Sequence, residues 1–411
     1  MGHSFNRNRS FQDEFHHPAR YGWIVIAACT ILMMAGLGIY YSFSVFFSSL
    51  QAEFGWTRAQ TASVFSLYLV FSGIFSIAAG RALDRLGPRV VVVVMGLATG
   101  LSLVLMSGIH TAFELYIYYS VLLSLGTGPV YIIAMGTASQ WFVRKRGTAV
   151  GIVGAGSALG TVILSPIGAW LITAYSWRQA YLVIGLLAVA VMLPAGLLLK
   201  KPPFAPDRVS AAGLSGESAP RTAPFSTMKI TGATSFQIFF IIWFCYSFCL
   251  HLVMGHLVPK AEDLGMDRIS AAATMSVLTA TVIPCRLFSG IIADRIDRKT
   301  FFVIMALLHI LVMAWATFAC RPWMVFVFAG LYGFVYGAID PPVIALVGDA
   351  FGAANIGSIM GLLMVAWGLG SAIGPYFGGL VFDLTGSYSP AFIVGGLSMG
   401  LAALYGCRLK L

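Results

Sequence analysis

A permanently charged side chain, Arg286, stands in TVIPCRLFSGIIADRIDRKT (281–300), a run that otherwise begins as the middle of a lipid-soluble helix. A guanidinium does not deprotonate in proteins, and an arginine at a membrane-helix centre costs about 2.5–3.5 kcal/mol on insertion scales. Something must offset that cost. Its planar fork of N–H donors matches a carboxylate through two parallel hydrogen bonds, so the chemistry on offer is recognition of an organic anion. The alternative is a structural arginine tied to helix carbonyls or to Asp340. No other Lys or Arg falls at comparable depth, so a single anionic head group is favoured over two.

Other groups could complete such a pocket with hydroxyl or imidazole donors around a short tail. Tyr40, Tyr41, Tyr119, Tyr131, His251, His256, Tyr332, Tyr336 and Tyr376 fall within apolar segments at suitable depth. Tyrosines near a bilayer interface ordinarily anchor it, so most of these are not ligands. Tyr332 and Tyr336 share a helix face by their spacing of four and are the better pair. Asp340, in GAIDPPVIA, is the best proton carrier; its other reading is to satisfy backbone groups freed where Pro341 and Pro342 interrupt the helix. His251 is a weaker proton candidate, and Glu114 reads as a helix N-terminal cap. The six cysteines have unrelated spacings and suit apolar filler. No nucleotide loop, Ser-His-Asp arrangement or metal-ligand spacing is apparent, so neither an enzyme nor a cofactor is expected.

These groups need elements to hold them. Hydrophobic residues make up 59% of the 411, charged residues 10%, and the mean hydropathy is +0.87, which excludes a water-soluble globular domain. Continuous apolar runs of about 20 residues predict helices rather than barrel strands. Twelve runs fit, near 21–47, 58–81, 90–109, 113–142, 147–175, 177–199, 235–258, 270–293, 300–319, 322–348, 355–382 and 388–407. The expected class is an all-α membrane protein. With both termini cytoplasmic, nineteen Lys/Arg lie on that side, five outside (Arg58, Arg178, Lys260, Arg268, Arg321), and Arg286 in the membrane. That asymmetry obeys the positive-inside rule, so the net charge of +10 reflects orientation and anionic lipid rather than nucleic acid. Residues 1–20 read as a cytoplasmic tail with no cleaved signal.

The polar stretch 200–234 divides the chain into bundles at 21–199 and 235–411. GRALDRLGPR (80–89) recurs 210 residues on as GIIADRIDRK (290–299), placing Gly80, Asp84 and Arg85 on Gly290, Asp294 and Arg295. Gly80 would admit a neighbouring helix, while Asp84 could pair with Arg85 or Arg89 or with exposed amides of a helix end, latching one conformation. Paired repeats of this kind place a ligand near the bilayer midplane and expose it to each side by rocking. This loop and its repeat resemble the major facilitator superfamily over essentially the whole chain. The resemblance implies two pseudo-symmetric six-helix bundles, with substrate held chiefly by helices one, four, seven and ten.

WFVRKRGTAVGIVGAGS, Trp141 to Ser157, is similar to the monocarboxylate transporter signature: Phe142, Arg146, Ala149, Gly151, Ala155, Gly156 and Ser157 agree outright. Tyr21-Gly22-Trp23 matches half of a second signature. Gly147, Gly151, Ala155 and Gly156, and Gly361, Gly370 and Ser371 in the other half, are expected to permit close helix contact, with Pro166 and Pro375 marking bends. Family members resembling this chain carry a substrate-binding arginine in helix eight, which implies that role for Arg286. Oxalate exchangers of the related oxalate–formate group use a second cation in helix eleven, and LLMVAWGLGSAIGPYFGG (362–379) has none. The mammalian proton relay uses an aspartate and a lysine where this chain has Val282 and Tyr41. The expectation is a monomeric cell-membrane transporter of a small, lactate-like monocarboxylate, coupled to a proton. A carboxylate exchanger, a multidrug exporter and a non-transporting carboxylate sensor are its rivals.

Overall fold

The computed structural model describes residues 7–142, 146–200, 234–293, 296–351 and 356–409. The linker at 200–234 therefore lies, beyond Lys200 and before Thr234, outside the described residues, as do Asp294, Arg295 and the side chains of Asp84 and Asp340. Twelve helices among the described residues are long and apolar enough to cross a membrane. We number them α1 (Arg7–Tyr41, continued by Phe43–Phe54), α2 (Arg58–Leu86), α3 (Pro88–Ser107), α4 (Ala112–Leu115 through Val130–Trp141), α5 (Arg146–Ala174) and α6 (Trp177–Leu198). The second set is α7 (Thr234–Asp263), α8 (Arg268–Ala293), α9 (Arg298–Phe318), α10 (Pro322–Phe351), α11 (Ile356–Thr385) and α12 (Ser389–Cys407).

Local chemistry sets several helix ends. Thr57 and Gln60 form a reciprocal capping box at the start of α2, and Thr111 and Glu114 form another at α4, so Glu114 is the cap its position predicted. Asp297 starts α9 by accepting from the Thr300 backbone and hydroxyl at 2.8 and 2.7 Å, bonds that hold its carboxyl below the usual range. Two helices are irregular where they matter for shape. Ser42 breaks α1, its hydroxyl turning back to Gly38 O at 2.7 Å, and Tyr116–Leu123 in α4 carries the wider π-type hydrogen bonding. The expected interruption of α10 is absent: the helix continues through Pro341-Pro342, because a membrane helix can re-satisfy the freed carbonyls by local adjustment.

Helices within each half pair through small residues. A Cβ on Gly160 would collide with Met34 O where α5 crosses α1, and one on Gly370 would lie 2.5 Å from Phe244 O where α11 crosses α7. The signature glycines divide accordingly. Gly156 is pressed against Thr30 O, whereas Gly151 faces open space and does not mediate the close contact expected of it. Gly80 also has nothing within 4 Å of its Cβ position among the described residues. The two signature fragments meet each other instead: Trp141 stacks near Tyr21 and Phe142 near Trp23, with ring centroids 5.7 and 4.9 Å apart.

Across the halves, α2 packs on α11 and α5 on α8. At the face away from the termini, hereafter the far face, these contacts become a closed gate. Arg58 grips Asp263 of α7 with both terminal nitrogens (2.7 and 2.5 Å), donates to Tyr388 at 2.5 Å, and lies 3.7 Å over the Phe382 ring. Asp383, from the end of α11, caps α2 by accepting from the backbone amides of Arg58 and Ala59, each at 2.8 Å. Beside them Ser48 bonds Glu262, and Arg268 donates to Ser49 at 2.7 Å. Burial pushes the Tyr388 phenol up, so it stays protonated and can donate to His256 Nδ1 at 3.2 Å.

Such contacts suit a gate because each is modest: a charge-assisted hydrogen bond contributes about 1.5–3 kcal/mol and an arginine over a ring about 1 kcal/mol. Replacing Arg58 by alanine removes about 2 kcal/mol from the closed state and is expected to raise opening roughly 10- to 30-fold. The measurement is maleimide labelling of Ala59→Cys with Cys320 and Cys407 changed to serine; labelling as slow in Arg58→Ala as in the parent would contradict the gate.

Candidate binding site at the centre of the bundle

Arg286 lies 18 residues past Arg268, two deeper than the sequence placed it and about 27 Å along the helix axis at 1.5 Å per residue. Its position against α10 follows from backbone proximity. A Cβ on Gly337 would stand 2.8 Å from Val282 O, so α8 and α10 nearly touch one turn before Arg286. That contact delivers the guanidinium to Tyr336, whose hydroxyl accepts from Nη2 at 3.2 Å and whose ring centroid is 5.4 Å from the guanidinium carbon. Arg286 is part-buried and Tyr336 is buried. Tyr336 sits 14 residues into the 30 of α10, close to the middle of the crossing.

From Tyr336 an unbroken series of rings leads to the other half. The Tyr246 hydroxyl of α7 donates to the Tyr336 carbonyl at 3.0 Å, and the two rings are 5.8 Å apart. Trp367 of α11 follows at 5.7 Å from Tyr246, and His251 meets Trp367 edge-on at 5.6 Å. His251 then faces Tyr40 of α1 at 6.5 Å, across the seam between the two sets of helices. Tyr40 continues into Tyr41, Phe65 and Tyr68. His251 Nδ1 lies 2.8 Å from Ser247 O, which can only accept, so Nδ1 carries a proton and Nε2 is the acceptor whenever the ring is neutral.

The structure therefore brings Arg286, Tyr336, His251 and Tyr40 onto one line through the middle, and it places the other candidates elsewhere. Tyr332 does share a stripe with Tyr336, but one turn nearer the far face its ring packs on His309 at 5.0 Å and its hydroxyl points to Cys249. His256 is fully buried in the gate, with Nε2 donating to Pro375 O at 2.7 Å. Tyr119 packs on Phe43 and Tyr68, its hydroxyl has no partner among the described residues, and with Tyr181 it lines a small cavity of the first half. That cavity has room for about one water molecule. Tyr131 and Tyr376 are more than two-fifths exposed. Asp340 occupies α10 one turn beyond Tyr336. Of the loop residues, Arg85 and Arg89 are exposed.

Sequence reasoning missed Tyr246 and Trp367, and also Arg58, Asp263 and Asp383 of the gate. An aromatic within an apolar helix carries no mark that separates pocket from filler. Arg58 had a weak signal, since it opens a helix directly after a threonine cap.

Comparison with known proteins matches this architecture. Relatives include monocarboxylate transporter 13 of Bos taurus, 26% identical over 379 residues that cover 92% of this chain and 86% of the relative. Monocarboxylate transporter 11 of Mus musculus is 29% identical, covering 91% and 84%. Among solved structures, a D-xylose–proton symporter superposes with a TM-score of 0.74 at 14% identity, covering 95% of this chain and 98% of that one. An inward-facing, unoccupied bacterial homologue of the human lysosomal transporter Spinster gives 0.73 at 14% identity, with 94% and 95% covered. At such identity the structures speak for the fold alone. A family model for the Major Facilitator Superfamily matches residues 26–320 and 239–410, and with twelve membrane-length helices this chain belongs to that superfamily of transporters.

Proposed function

We propose that this chain carries a monocarboxylate anion across the membrane by alternating access, with Arg286 and Tyr336 receiving the carboxylate. The observation that carries the reading is a guanidinium held at the inner wall of α8, hydrogen-bonded to a mid-helix tyrosine at the end of a path that crosses the seam. Transport rather than catalysis is the activity of the superfamily, and the names of the curated relatives support a monocarboxylate as cargo. The carboxylate would accept from the two terminal nitrogens of Arg286, and His251 Nε2 could accept from a substrate hydroxyl. Pairing the fixed cation with an anion lowers the electrostatic cost of closing dry helices around it.

The remaining assignments follow from the same reading. The distribution of basic residues supports cytoplasmic termini in a multi-pass cell-membrane protein; with the termini there, the far-face gate is extracellular and this conformation the inward one. The halves at 21–199 and 235–411, joined by the linker at 200–234, rock about the site as a monomer. Asp340 and His251 are the proposed proton carriers. Asp84 and Asp294, in the repeated loops, are the proposed latch of the opposite conformation, in which the cytoplasmic face closes. Val282 and Tyr41, standing where the mammalian relay has its ionisable pair, give a carboxylate exchanger a specific claim as second reading.

Arg286→Lys keeps the charge but loses the fork. Its uptake of labelled lactate or pyruvate into proteoliposomes should fall by roughly 10- to 100-fold, the worth of about 1.5–3 kcal/mol for a charge-assisted contact. Near-normal uptake by the folded variant would contradict the assignment. An imposed pH gradient, acidic outside, should drive accumulation above equilibrium, and Asp340→Asn should abolish that while sparing counterflow. Counterflow with no response of the parent to the gradient would instead identify an exchanger.

A further inference from the structure

The path from Arg286 to the first half is walled by ring faces, and three of its polar tips are already engaged inside the protein. The Tyr246 hydroxyl is spent on Tyr336 O, the Tyr68 hydroxyl pairs with Thr127 at 2.6 Å, and His251 Nδ1 is held by Ser247 O. Val282, a turn from Arg286, adds an apolar wall. What these groups leave for the tail of a bound acid is π surface, with Trp367 and Tyr41 each retaining partial exposure beside buried Tyr40. Neighbouring rings stand 4.5–6.5 Å apart along the whole series, the spacing at which aromatic rings stack or meet edge to face.

A methyl tail would touch little of this wall, and a chain with several hydroxyls would have His251 Nε2 to meet one of them and ring carbons for the rest. We infer that the preferred cargo is a monocarboxylate with a flat aromatic tail, whose ring lies against Trp367 while its carboxylate reaches Arg286. This rests on the proposed role of Arg286 as the carboxylate site. Trp367 is then the residue that sets specificity: it reads the tail, and the arginine reads the head. His251, edge-on to Trp367, fixes the tilt of the indole and so the plane a ring would lie against.

The test is equilibrium binding of labelled phenylpyruvate and labelled pyruvate, which share one head group, to the purified full-length protein in lipid nanodiscs. Phenylpyruvate should bind about ten-fold or more tightly than pyruvate, the ratio expected from burying one phenyl group on a ring surface. Trp367→Ala should collapse that ratio by at least about five-fold, and Trp367→Phe, which keeps a ring and is the milder change, should retain most of it. Equal binding of the two acids by the parent protein, or a ratio indifferent to Trp367→Ala, would overturn the aromatic tail. If both acids bind equally and Arg286→Lys removes both, the carboxylate site stands and only the tail assignment falls. If neither acid binds, or both survive Arg286→Lys, the arginine reading fails and this inference fails with it.

Discussion

A guanidinium that cannot shed its charge, set inside a helix made for hydrocarbon, is the constraint around which the rest of this structure is arranged. Water would solvate it and lipid would not, so the protein must supply polar contacts where its helices are otherwise apolar. Tyr336 supplies one of them. The near-contact of α8 and α10 at Gly337 makes that possible, because only a glycine lets the two backbones come close enough for an arginine on one to reach a tyrosine on the other. A site held by helix packing rather than by loops keeps its geometry while the halves move.

The gate and the site answer each other. At the far face the halves are joined by Arg58, Asp263, Asp383 and Tyr388, contacts made of charge, capping and cation–ring attraction, all of which water can replace at small cost when the gate opens. Nearer the centre Tyr40 and His251 meet across the seam edge to face. A ligand bridging that seam would add contacts to both halves at once, which is how binding can bias a two-state equilibrium. The asymmetry of strength is what allows a small anion to influence a large movement.

Much of this was legible in the residues. Hydropathy fixed the number of helices, because a bilayer requires lengths that nothing else in the chain imitates. Arg286 stood out for the same reason, as a charge where charge is costly. What could not be read was direction. Tyr332 and Tyr336 obey one periodicity, yet one turns to Arg286 and the other to His309 and Cys249, a difference set by which helices lie alongside. His256 was a candidate imidazole for the pocket and is instead locked between Pro375 and Tyr388. Pro341-Pro342 promised a broken helix that the backbone absorbed. Gly80 and Gly151 face open space among the described residues, while Gly156, equally anonymous in sequence, is pressed against α1. Partners across a seam are not encoded by spacing along either helix, and the ring series through Tyr246 and Trp367 exists only once four helices have met.

The most direct test is a structure of the protein with a bound monocarboxylate. The account predicts both carboxylate oxygens at about 2.7–2.9 Å from the terminal nitrogens of Arg286, with Tyr336 beside them. An acid bound elsewhere in the bundle, with the guanidinium turned to lipid or holding a side-chain carboxylate of the protein in its place, would contradict it.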